Sequence, residues 1–554
     1  GIRTGDEALR LYLFQWNIVP FGHFNNLLAN QVQPDAPPSA GGAAIRILIL
    51  LLVCAGALSA ATVRFETPRT WLDLDPATGA ILQITDRASS QVFVAGRKPL
   101  FELILSRPPD PAETPEHLGG ATGPRITRVT YQTDAPRLKL QRVESDAFTA
   151  IRVDRSDPHQ WVITYSKHPR LGLEATATLN ARTDGAIHFA LSVQGIPRDC
   201  ALHFTTYPQF AMRPILGGAD DDDRLLWPSP GSEGGALISA PGRTTRQAMG
   251  KYPGWLPVQM QAYYDRTAGL YLACHDPDSN VKRYRLNQVA KTSVETRIEH
   301  LVPEIPGAAF TLPYPVVLTT FTGDWYDAAD IYKRWAVRQA FCARTVVQRN
   351  DLPDFLTRGA GLLIENLRDE RSPGGLGPNL EEVSRHARAL RQAAGLDHLV
   401  VALFGFEKQG AWAGIDYFPP HPSEAALKDA CAALRRQGDA ADLHPSSYWW
   451  VIKRQATRFG PAFDDTAKAV AQADMLTHEP DGSIRLLDRY DLSAPTGGDK
   501  AYQGLSASLC HGSPAARQVI RDIYVQAARL GAGMVAFDQE LGGGQMFPCY
   551  HPGH

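Results

Sequence analysis

The strongest constraint on how this chain folds is a single change of hydrophobic period, in "TGDWYDAADIYKRWAVRQAF" (residues 322–341). Here Trp325, Ala328, Ala329, Tyr332 and Trp335 recur at steps of three and four, the stripe of an amphipathic helix. Before it, over residues 62–322, the period is two and turn residues come at short intervals. "FTAIRV", "WVITYS", "LEATATLN" and "AIHFALSV" follow one another, and Asp184-Gly185 stands between the last two as a hairpin turn. No stretch of that region carries helical periodicity, so it reads as one large antiparallel β-sandwich.

After the helix, apolar strands alternate with amphipathic helices. The pattern predicts a strand over 361–366 ("GLLIEN"), a helix over 380–394, a strand over 398–406 ("HLVVALFGF") and a helix over 424–436. A third strand is predicted in "SSYWWVI" (446–452), followed by a long insertion. A helix over 514–530 has Ser513 as its N-cap and Pro514 in first position, and "GMVAFD" (533–538) is the fourth strand. Such alternation implies a parallel sheet, doubly wound or closed into a (β/α)8 TIM barrel. A barrel needs eight strands. On the barrel reading, residues 323–358 are a helical linker and 359–554 are the first half of a truncated (β/α)8 catalytic barrel.

The chain of 554 residues is long enough for several domains. Its first Met is Met212, so Gly1 is not a native start. "AAIRILILLLVCAGALSAATV" has Arg46, an apolar run over 47–58, then Ser59, Ala60 and Ala61. That is the layout of a secretory signal peptide over 44–61, too short to span a membrane as a helix. Residues 1–43 are then a non-native leader, and the expected location is secreted or periplasmic, with no membrane attachment after cleavage. A formal net charge of -2 lacks the basic footprint of a nucleic-acid binder and suits a neutral partner. Beyond Cys54, the six cysteines Cys200, Cys274, Cys342, Cys431, Cys510 and Cys549 show no CxxC and no Cys/His metal spacing. They read as buried small hydrophobes with at most one bridge among them.

In parallel α/β architectures active sites form at the carboxyl ends of the strands. The candidates there are Glu365, Glu407, Asp538 and Glu540. Glu365 precedes the charged stretch "RDERSPGG" and reads as solvated or ion-paired, and Glu407 can pair with Lys408. Asp538 follows an uncharged run, and a carboxylate there has either a catalytic or a structural reason. Aromatic residues crowd the same edge: Trp412, Tyr417, Phe418, Tyr448, Trp449 and Trp450. Flat rings bind the apolar face of sugars, although adjacent Trp residues on a strand face opposite ways, so at least one of Trp449 and Trp450 is core. Phosphate chemistry lacks its loop, since Gly250-Lys251 is followed by Tyr252. There is no GxSxG elbow, no HExxH helix and no cofactor motif. "ADDDDR" (219–224) lacks EF-hand spacing and reads as a solvated loop.

Five segments together are similar to one family: "WLDLDPATGAILQITD" (71–86), "YPGWLPVQMQAYYDRTAGLYLACHD" (252–276), "GDWYDAADIYKRWA" (323–336), "SLCHGSPAAR" (508–517) and "VAFDQELGGGQMFPCYHPGH" (535–554). They resemble bacterial exported proteins carrying domain of unknown function 6259, a glycoside-hydrolase-like family distantly similar to retaining α-galactosidases and endo-α-N-acetylgalactosaminidases. The resemblance implies a galactose-mutarotase-type β-sandwich followed by a catalytic (β/α)8 barrel acting on α-linked, galactose-type glycans. It places the nucleophile at the end of the fourth barrel strand, on Asp538, and the acid/base carboxylate on a later strand that this chain does not contain. The chain is therefore expected to be inactive alone. Gln539, Glu540, Cys510 and His551 from the matching segments, with Glu407, Trp412, Tyr448 and Trp449 at the strand ends, make the expected sugar-binding set. The second strand departs from the pattern, ending "LFGFEKQG" where a more aromatic, polar end is expected. A non-catalytic carbohydrate-binding protein on a degenerate barrel is the competing expectation, and a lyase or epimerase using the same carboxylates is a third.

Overall fold

The computed structural model describes residues 62–94, 96–107, 126–130, 139–218, 221–228, 237–253, 256–367, 379–408, 415–445, 449–454, 462–479, 482–490, 503–536 and 549–554. The leader and signal segment lie outside them. Among the described residues no helix is long and apolar enough to cross a membrane.

Two antiparallel sheets dominate the N-terminal part. A ten-stranded sheet runs in the order Leu237–Ser239, Arg224–Leu226, Met260–Tyr264, Gly269–Cys274, Val316–Phe321, Ile187–Gln194, Glu174–Ala181, Gln160–Ser166 and Ala150–Asp157, with Phe310–Thr311 paired beside Ile187–Gln194. A six-stranded sheet runs Arg246–Tyr252, Lys282–Val289, Ser293–Leu301, Ala201–Thr206, Glu102–Arg107 and Lys139–Glu144. Period-two burial follows the sequence: Ala175, Ala177 and Leu179 face the core opposite Val193, Leu191 and Phe189. Between those strands Gly185 takes φ +89, the left-handed conformation for which glycine is suited, and its N–H donates to Arg182 O. Leu103 and Leu105 of the six-stranded sheet share one core with Phe189 and Leu191 of the ten-stranded sheet. Burying each such side chain contributes about 1.5–3 kcal/mol.

One residue of the acidic run at 219–224, Asp223, departs from the expected solvated state. Asp223 is fully buried and its Oδ2 accepts a hydrogen bond from Leu216 N, while Asp222 lies 3.7 Å from Arg266. Burial of an ionisable carboxyl needs such partners, which a charge count along the sequence does not reveal.

The helix at the change of period spans Trp325–Ala336. Asp324 caps it through a capping box with Asp327. Its buried stripe of Ala328, Tyr332 and Trp335 packs on Tyr271, Ala273 and Val317. Those residues alternate with Leu270, Leu272, Cys274, Val316 and Leu318 of the shared core, so the helix covers the other face of the ten-stranded sheet.

Beyond it lies a four-stranded parallel sheet in sequential order: Gly361–Asn366, Leu399–Phe404, Ala440–Leu443 and Met534–Val535. Helices Glu381–Ala394, Glu424–Arg436 and Pro514–Arg529 separate the strands in sequence, the last two capped by Ser423 and Ser513 as the sequence predicts for Ser513. The third strand is not the aromatic segment 446–452. "AADL" takes that place, four residues with two alanines and an aspartate, whose β-propensity is poor but whose position between the two neighbouring strands buries it. Strand Trp449–Arg454 belongs instead to an antiparallel sheet with Phe463–Asp464, Gln503–Ser508 and Ile484–Tyr490, where Trp450 is fully buried. Ile126–Thr130 adds to that sheet in parallel beside Ile484–Tyr490. The six cysteines among the described residues are all free, so no bridge forms among them; Cys200, Cys274, Cys431 and Cys510 are buried, as small hydrophobes would be.

Candidate functional site

Alternation along the parallel strands sorts side chains onto two faces. Leu363, Val401, Leu403, Ala441 and Leu443 pack with the helices through Val383, Ala387, Leu427 and Leu434. Val400, Ala440 and Met534 occupy the opposite face, with Phe355 against them. Two residues further along that second face stands Asp442, and two further still His444. Asp442 is buried, its Oδ1 accepts a hydrogen bond from Ala536 N at 2.9 Å, and its Oδ2 lies 3.5 Å from His444 Nδ1. The His444 ring packs on Phe404 with centroids 4.6 Å apart. A carboxylate, an imidazole and an aromatic ring therefore meet at the carboxyl edge of the sheet, away from the helices.

Glu365 has the parity of Leu363 and turns toward the helices. Its Oε1 lies 3.4 Å from His386 Nδ1 of the Glu381–Ala394 helix, which supports the ion-paired reading. Burial lifts its carboxyl above the ordinary value, with His386 pulling the other way. Glu407 is fully buried just past the second strand, beside Phe406, whose ring stacks on buried Tyr417 at 5.9 Å. Tyr417 is thus core.

Of the other expected site residues, Asp538, Gln539, Glu540, Trp412 and Tyr448 lie outside the described residues. Trp449 lies in an antiparallel pair with Ser508 and not on a strand of the parallel sheet. Cys510 and His551 come together at the C-terminal segment. His551 packs on His478 and His554, with centroids 4.7 Å and 4.0 Å away, and Cys510 lies beside Cys549 and His554. Asp442 and His444 escaped the sequence reading because their strand was misplaced by one element. The signal was present in "AADLH", an Asp and a His two residues apart on one face of a strand.

Residues 310–554 match the family model described as Domain of unknown function (DUF6259), in agreement with the resemblance carried by the sequence motifs. The fold is similar to that of the α-N-acetylgalactosaminidase NagBb from Bifidobacterium bifidum. Its ligand-free structure matches at 12% identity and a TM-score of 0.60, covering 89% of this chain and 73% of that one. Its GalNAc complex matches at 12% identity and a TM-score of 0.56, covering 89% and 72%. The GH36 α-galactosidase AgaA from Geobacillus stearothermophilus matches at 12% identity and a TM-score of 0.40, covering 86% and 65%. No curated protein matches the chain.

Proposed function

We propose that the protein is an exported glycoside hydrolase that cleaves α-linked, galactose-type glycans with retention, and that Asp538 is its nucleophile. In this reading residues 62–322 are a galactose-mutarotase-type β-sandwich, 323–358 a linker, and the parallel sheet part of a (β/α)8 barrel. The observation that carries it is the sequential parallel order of four strands, the last of which leads within three residues from Val535 to Asp538 in the sequence. Carboxyl ends of such strands are where this architecture holds its reacting groups. The family match and the likeness of fold to NagBb support the class of reaction.

The chemistry is double displacement. The Asp538 carboxylate attacks the anomeric carbon as the glycosidic C–O bond breaks, and the leaving oxygen takes a proton from a second carboxyl about 5–5.5 Å away. Water then attacks the glycosyl ester and frees Asp538. We assign the second carboxyl to no residue of this chain. Gln539, Glu540 and His551 bind sugar hydroxyls or steady the nucleophile, and Trp412 and Tyr448 supply stacking faces. Asp442 holds Ala536, two residues before the nucleophile.

The test is hydrolysis of aryl α-galactosides and aryl α-N-acetylgalactosaminides by the protein expressed from its complete reading frame. Asp538→Asn should lower kcat by about 10⁴-fold or more while leaving sugar binding intact. Sugar binding without turnover in both forms would favour the non-catalytic carbohydrate-binding protein. Unchanged turnover would remove Asp538 from the mechanism.

A further inference from the structure

The segment 549–554 folds back onto the turn between strand Gln503–Ser508 and helix Pro514–Arg529. Cys510 N donates to Met475 O and Tyr550 N to His478 O, so both stretches are tied to the same 473–478 region by backbone bonds. The result is a triangle of soft ligands. Cys510 Sγ, Cys549 Sγ and a ring nitrogen of His554 all lie within 4.8 Å of one another, with Cys549 Sγ 3.2 Å from His554 Nδ1. Tetrahedral zinc with Zn–S of about 2.3 Å and Zn–N of about 2.0–2.1 Å separates its ligands by roughly 3.6–3.8 Å. Small side-chain movements therefore convert one arrangement into the other.

Three further features fit a metal rather than a chance cluster. The His554 side chain is 2% exposed, and its Nε2 has no hydrogen-bond partner but lies 3.9 Å from Asp474 Oδ1. That is the order of groups in a carboxylate–histidine–metal chain, with a shift of about 1 Å needed to bring Asp474, which stands equally near His551 Nε2, into hydrogen-bond reach of His554. Gly512 leaves room that a side chain would take: a Cβ there would meet His554 C at 3.0 Å and Cys510 Sγ at 3.3 Å. Backbone amides also serve both sulfurs, His478 N donating to Cys549 Sγ at 3.4 Å and Gly512 and Ser513 to Cys510 Sγ.

We propose that Cys510 Sγ, Cys549 Sγ and His554 Nδ1 bind a zinc ion, with a water molecule as fourth ligand and Asp474 behind His554. Two thiolates and an imidazole select zinc over calcium or magnesium, which take oxygen ligands. Binding releases the two thiol protons and leaves the site neutral, as a largely buried position requires. The alternative fate of the two thiols is a disulfide, which gives no role to the buried imidazole beside them. The metal would fasten residues 549–554, as Asp442 fastens Ala536.

The test uses the full chain, purified without chelator and without added reductant. Mass spectrometry of metals should find about one zinc per chain. Cobalt substitution should give thiolate-to-cobalt charge-transfer absorption and intense tetrahedral d–d bands. Cys510→Ser and Cys549→Ser should each reduce zinc retention at least tenfold. Should either variant fail to fold, the cobalt spectrum of the unaltered chain decides the matter. Absence of sulfur charge transfer, a Cys510–Cys549 disulfide in place of zinc, or undiminished zinc in the double variant would overturn the proposal. None of these readouts depends on glycosidase activity.

Discussion

The hydroxyl of Tyr550 donates to Glu304 Oε1 at 2.6 Å, joining residues 246 apart in the chain. The same carboxylate receives Ser106 Oγ on Oε2 at 2.6 Å and pairs with His203 Nδ1 on Oε1 at 2.5 Å. The six-stranded antiparallel sheet and the C-terminal segment thus share one buried carboxylate. Burial alone would raise the Glu304 carboxyl, but hydrogen bonds from His203, Ser106 and Tyr550 outweigh it and hold it below its ordinary 4.5. A carboxyl depressed in the fold stabilises above its ordinary value and loses that contribution as pH falls through the folded one. Tyr550→Phe should cost about 1.5–3 kcal/mol at pH 7 in urea unfolding, and the difference from the unaltered chain should shrink below about pH 4.5. A pH-independent difference would argue against the charged bond.

Glu365 has the opposite sign. Its carboxyl is raised by burial above its ordinary 4.5, so the fold binds that proton more tightly and loses stability as pH rises through the ordinary value. Glu365→Gln should therefore raise the melting temperature at pH 7 and leave it unchanged at pH 4. A lower melting temperature at pH 7 would show that the pairing with His386 outweighs burial.

Gly195 takes φ +69, and a Cβ there would stand 1.9 Å from Gly172 O, a backbone atom that cannot swing aside. Gly96 takes φ +86 with nothing within 4 Å of the same position. Gly195→Ala should cost more than about 3 kcal/mol, whereas Gly96→Ala should cost only the conformational penalty of about 1 kcal/mol. Urea midpoints of the two variants, measured side by side, check the difference.

Asp442 is the acceptor for Ala536 N at the end of the last parallel strand. Asp442→Ala should speed hydrogen exchange of that amide by an amount equivalent to about 1–3 kcal/mol, while Asp442→Asn keeps an acceptor oxygen and should lose less. Equal exchange in all three proteins would remove this bond from the account of the site.

The architecture was legible wherever periodicity was long. The Trp325–Ala336 helix and its buried Tyr332 and Trp335 follow from the stripe alone, and the turn at Gly185 from its dipeptide. The third parallel strand was not legible, because "AADL" is too short and too weakly β-forming to compete locally with "YWWVI". The expected third strand therefore carries Trp449, and Asp442 and His444 of the observed one stay hidden. The approach of Cys510 to Cys549 and His554 was equally hidden, since a spacing search sees only ligands close in sequence and these are brought together by tertiary folding.

As nucleophile, Asp538 becomes covalently bonded to sugar during turnover. The most direct measurement is trapping with a fluorinated α-galactosyl inactivator, which slows hydrolysis of the glycosyl ester, followed by peptide mass spectrometry of the protein expressed from its complete reading frame. One glycosyl adduct is expected, on the peptide containing Asp538 and on that carboxylate. An adduct on any other residue would contradict it.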